Sequence, residues 1–197
     1  MKSSLYRGIL RLFGWKVVVT LPDYSKCVIC VAPHTSNWDF ILGKLAYGSI
    51  GRKAGFLMKK EWFFFPLGYL FRAMGGIPVD RKSSSSLTDQ LADRFEKNDR
   101  LAIAITPEAT RKPNPDWKLG FYYTALKAQV PIVLAYIDYK DKQIGLTQSI
   151  IPSGNVEKEM TEIKNFYRNR QGKNTRRILP YRYEHFNFIP FLFHVPK

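Results

Sequence analysis

The sequence predicts a single α/β domain: a largely parallel or mixed central sheet flanked by helices, opened by a short amphipathic helix. Three observations carry that expectation. β-branched runs alternate with apolar residues at helical spacing, as βαβ units require. A chain of 197 residues with 45% hydrophobic content suits one sizeable core. No internal repeat or domain boundary interrupts residues 1–197.

Ser3 and Ser4 give the first turn signal, after which Leu5, Ile9, Leu12 and Phe13 recur at helical spacing, with Lys2, Arg7 and Arg11 mostly off that stripe. With Gly14 as C-cap, Ser4 to Phe13 reads as a basic amphipathic helix and residues 1–14 as a membrane-docking segment. Trp15 to Thr20 and Lys26 to Ala32 are β-branched runs separated by the turn Pro22-Asp23, and both suit strands. A helix is expected from Trp38 to Gly48, a strand from Gly55 to Lys59, and a helix from Glu61 to Met74 with an irregular start around Pro66. The cap-rich run Ser83 to Ser86 precedes Leu87, Leu91 and Phe95, whose spacing marks a helix ending near Asn98. Leu101 to Thr106 and Ile132 to Tyr139 read as strands, with a helix between them from Asp116 to Gln129. After Pro152 the chain is polar and basic from Glu157 to Arg177, then apolar and aromatic.

Lys and Arg total 31 against 16 Asp and Glu, and the resulting charge of +15 favours phosphate-bearing partners: nucleic acid, anionic lipid or a phosphorylated substrate. The aromatic residues lie in dense apolar runs instead of alternating singly with basic residues, so lipid is favoured and no nucleic acid is expected. Trp62 to Phe71 and Phe186 to Val195 are the most apolar runs, and both fall short of the ~20 residues that cross a bilayer. Lys2, Arg7 and Arg11 interrupt any signal-peptide core. A peripheral protein on the cytoplasmic face of a membrane is expected. Cys27 and Cys30 are the only cysteines; i and i+3 on a strand point to opposite faces, so they read as two buried thiols, not as a redox pair or zinc site. No cofactor or metal is expected.

The strand Lys26 to Ala32 runs into Pro33-His34-Thr35-Ser36-Asn37-Trp38-Asp39, which puts a histidine at a strand's C-terminal edge, where open α/β sheets place their sites. Thr35, Ser36 or Asn37 can cap the following helix, and Asp39 in its first turn can reach back to one imidazole nitrogen. Such a pair forms a general base with its orienting carboxylate. The same spacing also fits a loop histidine bonded to a carboxylate with no catalytic role. No serine or cysteine elbow accompanies the pair, so the attacking group is expected from the substrate. Gly75 to Arg81 and Thr106 to Arg111 read as two further strand-edge loops that present cations.

Taken in order, these segments resemble the glycerolipid acyltransferase family that includes 1-acylglycerol-3-phosphate acyltransferases, over residues 31–135. The family's histidine, four residues and aspartate fall on His34 and Asp39, with Ser36 at its usual serine. The glycine-led turn closing on arginine falls on Gly76 to Arg81, Pro-Glu-Gly-Thr-Arg on Pro107 to Arg111, and the proline-led strand on Pro131, Ile132 and Val133. A basic residue ahead of the second motif matches Lys59. Pro33, Thr106, Ala109 and Leu134 depart from the pattern.

The resemblance implies O-acyl transfer from acyl-CoA or acyl carrier protein to a lysolipid hydroxyl in membrane lipid biosynthesis, by His34 and Asp39, without a covalent acyl-enzyme. It implies 1-acylglycerol-3-phosphate as acceptor, or another hydroxylated lysolipid such as an amino-acid lipid, since Ala109 stands where glycine is usual. Lys59, Arg81 and Arg111 would surround an anionic headgroup, and Glu108 would bind an acceptor hydroxyl or position Arg111. A non-catalytic basic lipid-binding module is the alternative of a different class.

Overall fold

The structure, a computed structural model, describes residues 2–80, 85–112 and 114–174. Its elements are α1 (Lys2–Leu12), β1 (Lys16–Val19), β2 (Lys26–Ala32), α2 (Trp38–Ser49), β3 (Gly55–Lys59), α3 (Leu67–Ala73), β4 (Gly76–Val79), α4 (Leu87–Glu96), β5 (Leu101–Ile105), α5 (Gly120–Ala128), β6 (Ile132–Asp138), β7 (Gln143–Ile150) and α6 (Val156–Tyr167). The strands form one sheet in the order β1-β7-β6-β2-β5-β3-β4. Only the β6–β7 pair is antiparallel. Single-domain α/β architecture with a mixed sheet is therefore what the chain adopts.

Strand order explains where the helices go. From β2 the chain steps outward to β3 and β4, then reverses to β5 and β6. Right-handed crossovers taken in opposite directions put their helices on opposite faces. On the first face, Leu10 of α1 and Ala46 of α2 pack with Trp15, Ile137 and Ile144. Lys44 of α2 also donates to the carbonyls of Ala54 and Met74, tying α2 to the ends of β3 and α3. On the second face, Leu91 and Phe95 of α4, Phe121 of α5 and Ile163 of α6 cover Val28, Cys30 and Ile132. Cys27 belongs to the first face and Cys30 to the second, both as free thiols. Burial pushes the Cys27 thiol up to about 12 and the Cys30 thiol up as well, so both are inert.

Several boundaries differ from expectation. The run Glu61 to Met74 divides into a 3-10 turn at Lys60–Trp62 and the seven-residue α3. Residues 116–119 are a loop and not the first turn of α5, because Lys118 N donates to Pro107 O and Asn114 Oδ1 accepts from Asp116 N. Strand β7 went unread: Gln143, Thr147, Gln148 and Ser149 dilute its apolar pattern. Its Gly145 lies where a Cβ would sit 2.2 Å from the Tyr136 ring, so close packing, not propensity, selects that residue. Helix α6 was hidden in a polar run, although Asn155 caps Lys158 N and Met160, Ile163 and Tyr167 make an inward stripe. The end of the basic run and the aromatic stretch from Phe186 to Val195 lie outside the described residues.

Candidate active site

Neighbouring strands β2 and β5 send their chains to opposite faces of the sheet, which makes their C-terminal ends a topological switch point. The loops that leave them there carry His34 and Asp39 on one side and Glu108 to Arg111 on the other. Asp39 occupies the first turn of α2, its side chain 1% exposed. Its Oδ2 accepts from Thr35 N and Ser36 N, each at 2.8 Å, and lies 3.3 Å from His34 Nδ1. Its Oδ1 accepts from the Tyr139 hydroxyl at 2.6 Å. Burial alone would raise the Asp39 carboxyl, but the bonds from His34, Tyr139, Ser36 and Thr35 outweigh it and hold the group below its ordinary value. Asp39 is thus a fixed anion beside an imidazole that is 22% exposed.

The opposite loop supports the histidine from behind. Glu108 is 5% exposed, and its Oε1 accepts from His34 N at 2.8 Å. Burial pushes its carboxyl up to about 7, opposed by the His34 amide and ring and reinforced by the Asp39 charge. Ala109 follows with φ +54, so the position where glycine is usual does take a left-handed backbone. Arg111 Nη1 donates to Asn37 Oδ1 at 2.7 Å and bridges the two loops.

A cleft of ≈ 850 Å³ opens from this pair. His34, Asp39, Thr106, Thr110, Arg111 and Lys118 form its polar end, and Ile29, Val31, Phe40, Gly43, Phe56 and Ala104 are among its apolar walls. Gly43, Ala104 and Ala135 are among its small lining residues, and Leu91, Phe121 and Thr124 from the other face line it too. At its far end Tyr47 also borders a second cavity of ≈ 310 Å³, next to Arg52 and Asp23.

Four of the six residues singled out from sequence meet here: His34, Asp39, Glu108 and Arg111. Glu108 holds the His34 backbone and Arg111 goes to Asn37, so the expected Glu108–Arg111 pairing gives way to two bonds across the loops. Lys59 ends β3 at the same sheet edge, exposed and outside the cleft lining. Arg81 lies outside the described residues. Sequence reasoning missed Tyr139, Asn37 and Lys118. Tyr139 is more than 100 positions from His34 in sequence, and a tyrosine ending a strand carries no local signal. Also unread was the segment after α6, where Asn174 Nδ2 donates to Thr35 O at 3.0 Å.

A family model described as Acyltransferase matches residues 16–138. The chain is 30% identical over 148 residues to human 1-acyl-sn-glycerol-3-phosphate acyltransferase beta, a match covering 72% of this chain and 52% of that one. It therefore spans about half the length of this curated relative. The fold is similar to the crystal structure of the 1-acyl-sn-glycerophosphate (LPA) acyltransferase PlsC from Thermotoga maritima, with TM-score 0.58 and 18% identity over 83% of this chain and 74% of that one. The family match starts on the first residue of β1 and ends on the last residue of β6, taking in both loops of the switch point, and the chain belongs to the Acyltransferase family.

Proposed function

We propose that the protein transfers a fatty acyl group from a thioester donor, acyl-CoA or acyl carrier protein, to the hydroxyl of a lysolipid, with 1-acylglycerol-3-phosphate as the acceptor. The observation that carries this reading is the His34–Asp39 pair standing at the polar end of a largely apolar cleft with room for a hydrocarbon chain. The human relative carries that acceptor in its name.

With Nδ1 turned to Asp39, His34 offers Nε2 to the acceptor hydroxyl. The hydroxyl oxygen bonds to the thioester carbonyl carbon as its proton passes to Nε2. Collapse of the tetrahedral intermediate breaks the C–S bond, the departing thiolate takes the proton, and His34 ends neutral as it began. Arg111 and Lys118, together with Arg81 and Lys59, supply cations for the acceptor phosphate. Glu108 fixes the backbone of His34.

Docking on an anionic bilayer delivers the acceptor. Residues 1–75 hold eleven Lys and Arg against three Asp and Glu, one of which is the buried Asp39. The same stretch exposes Leu5 and Leu12 on α1, Phe13 just after it, and Trp62, Phe64 and Phe65 before α3. That pairing of cationic and apolar surface is what a peripheral bilayer contact uses. Among the described residues no helix is long and apolar enough to cross a membrane.

Lipid mass spectrometry of purified protein, given both donor types and a panel of lysolipids, tests the reading. His34→Ala should lower turnover by roughly 10²-fold or more with the fold intact. Near-wild-type transfer by folded His34→Ala protein would sink it, and transfer confined to lysolipids without phosphate would reassign the acceptor.

A further inference from the structure

The two oxygens of Asp39 have different duties. Oδ2 faces His34 Nδ1 and takes two backbone amides, whereas Oδ1 accepts from the Tyr139 hydroxyl at 2.6 Å. A carboxylate is a broad two-fold rotor about its last side-chain torsion. Backbone amides gathered on Oδ2 alone leave the carboxylate plane free to tilt, and tilting turns the lone pair away from the imidazole. A second donor on Oδ1 removes that freedom, and at 2.6 Å it lies in the range of strong charge-assisted bonds.

Tyr139 is itself held firmly. Its ring stands edge-on to Trp15 with centroids 5.0 Å apart, and its backbone N donates to Gln171 O at 2.9 Å. Three residues later, Asn174 binds Thr35 through Nδ2 to the carbonyl and through its backbone N to Oγ1. One short segment therefore secures Tyr139 on one side of Asp39 and the Thr35 donor on the other. Packing on Trp15 needs only the ring. The hydroxyl, half-buried, has its bond to Asp39 as the reason for its presence.

We propose that Tyr139 is a positioning residue that locks the Asp39 carboxylate in the orientation that presents Oδ2 to His34. It stands one residue past the segment matched by the family model. The inference rests on the acyl-transfer reading, and its test separates the two.

Tyr139→Phe keeps the ring and removes the donor. It should lower kcat about tenfold, the scale of one hydrogen bond to a charged group, while the KM values for donor and lysolipid stay at wild type. The thermal midpoint should change little. In the protein without substrate, the low-field proton resonance of His34 Nδ1–H, assigned by its loss in His34→Ala, should broaden or disappear in Tyr139→Phe. Incorporating 3-fluorotyrosine in place of Tyr139 keeps the donor and should keep both kcat and the resonance. An inactive His34→Ala beside a fully active Tyr139→Phe with its resonance intact would overturn the positioning role alone. A raised KM with unchanged kcat would overturn it too, by making Tyr139 a binding residue. If His34→Ala stayed active, the acyl-transfer reading would fall first.

Discussion

On the second face of the sheet, α4, α5 and α6 press Leu91, Phe95, Phe121, Ile163 and Tyr167 to 1% exposure or less. On the first face, α2 stands over Ala104 and Ala135 and leaves an open cleft, while all but three of the exposed large hydrophobic side chains among the described residues fall between Leu5 and Met74. The two faces differ in what the sheet offers beneath the helices. Bulky partners such as Val28 and Ile103 fill the second face, and alanines on β5 and β6 under-fill the first. Tight packing is concentrated on the second face, and the cleft lies mainly under α2, with Leu91, Phe121 and Thr124 of the second-face helices also lining it.

Stability measurements should show the largest contrast. Ile163→Ala leaves a void in the closed face and should cost about 2–5 kcal/mol in urea unfolding. Phe40→Ala, 36% exposed and lining the cleft, should cost about 1 kcal/mol yet alter acyl transfer. Equal costs would erase the distinction between the faces.

Glu108 sits where the two faces meet, and it gives the comparison a pH signature. Its carboxyl is raised from an ordinary 4.5 to about 7, so between those values the folded protein holds a proton that the unfolded chain has released. That contribution is fully present below pH 4.5 and is lost as pH rises through about 7, on the order of 3 kcal/mol in all. Glu108→Gln keeps an acceptor oxygen for His34 N but cannot ionise. Its unfolding midpoint should therefore fall less steeply than wild type from pH 4.5 to 8, and parallel curves would show that the carboxyl is not perturbed.

The smallest effect belongs to the outer surface of the first face. Leu10 is 2% exposed and Tyr6 packs against Gly48, so removing α1 whole would uncover the core. Leu12→Ser and Phe13→Ser change only side chains that are 82% and 63% exposed. Together they should weaken co-sedimentation with anionic vesicles several-fold without shifting the thermal midpoint, and the remaining binding should be more sensitive to salt. Unaltered binding would remove α1 from the docking surface.

The sheet-forming runs from Lys26 to Ala32 and Ile132 to Tyr139 were legible because a strand buried on both faces is almost continuously apolar, and the His34–Asp39 contact was legible because it is local. At position 109 the sequence marks only a departure from the usual glycine; the structure adds that Ala109 takes φ +54. Long-range closure was not legible. Tyr139, Asn37 and Asn174 act through partners 100, 74 and 139 positions away, and nothing in the residues around them signals those bonds. Strand β7 escaped because one of its faces carries polar residues and its glycine answers to Tyr136 across the ladder.

The strap from Arg170 to Asn174 gives the protein a timetable. Thr35 and Tyr139 leave the ribosome long before residues 170–174, yet both are anchored by them. Chains emerge in sequence order and fold as they do so. A nascent chain can thus bring His34 and Asp39 together through their local bonds, while the bonds from the strap to Thr35 and Tyr139 form only when synthesis has passed α6. The last anchors arrive after the loops they hold have already been made.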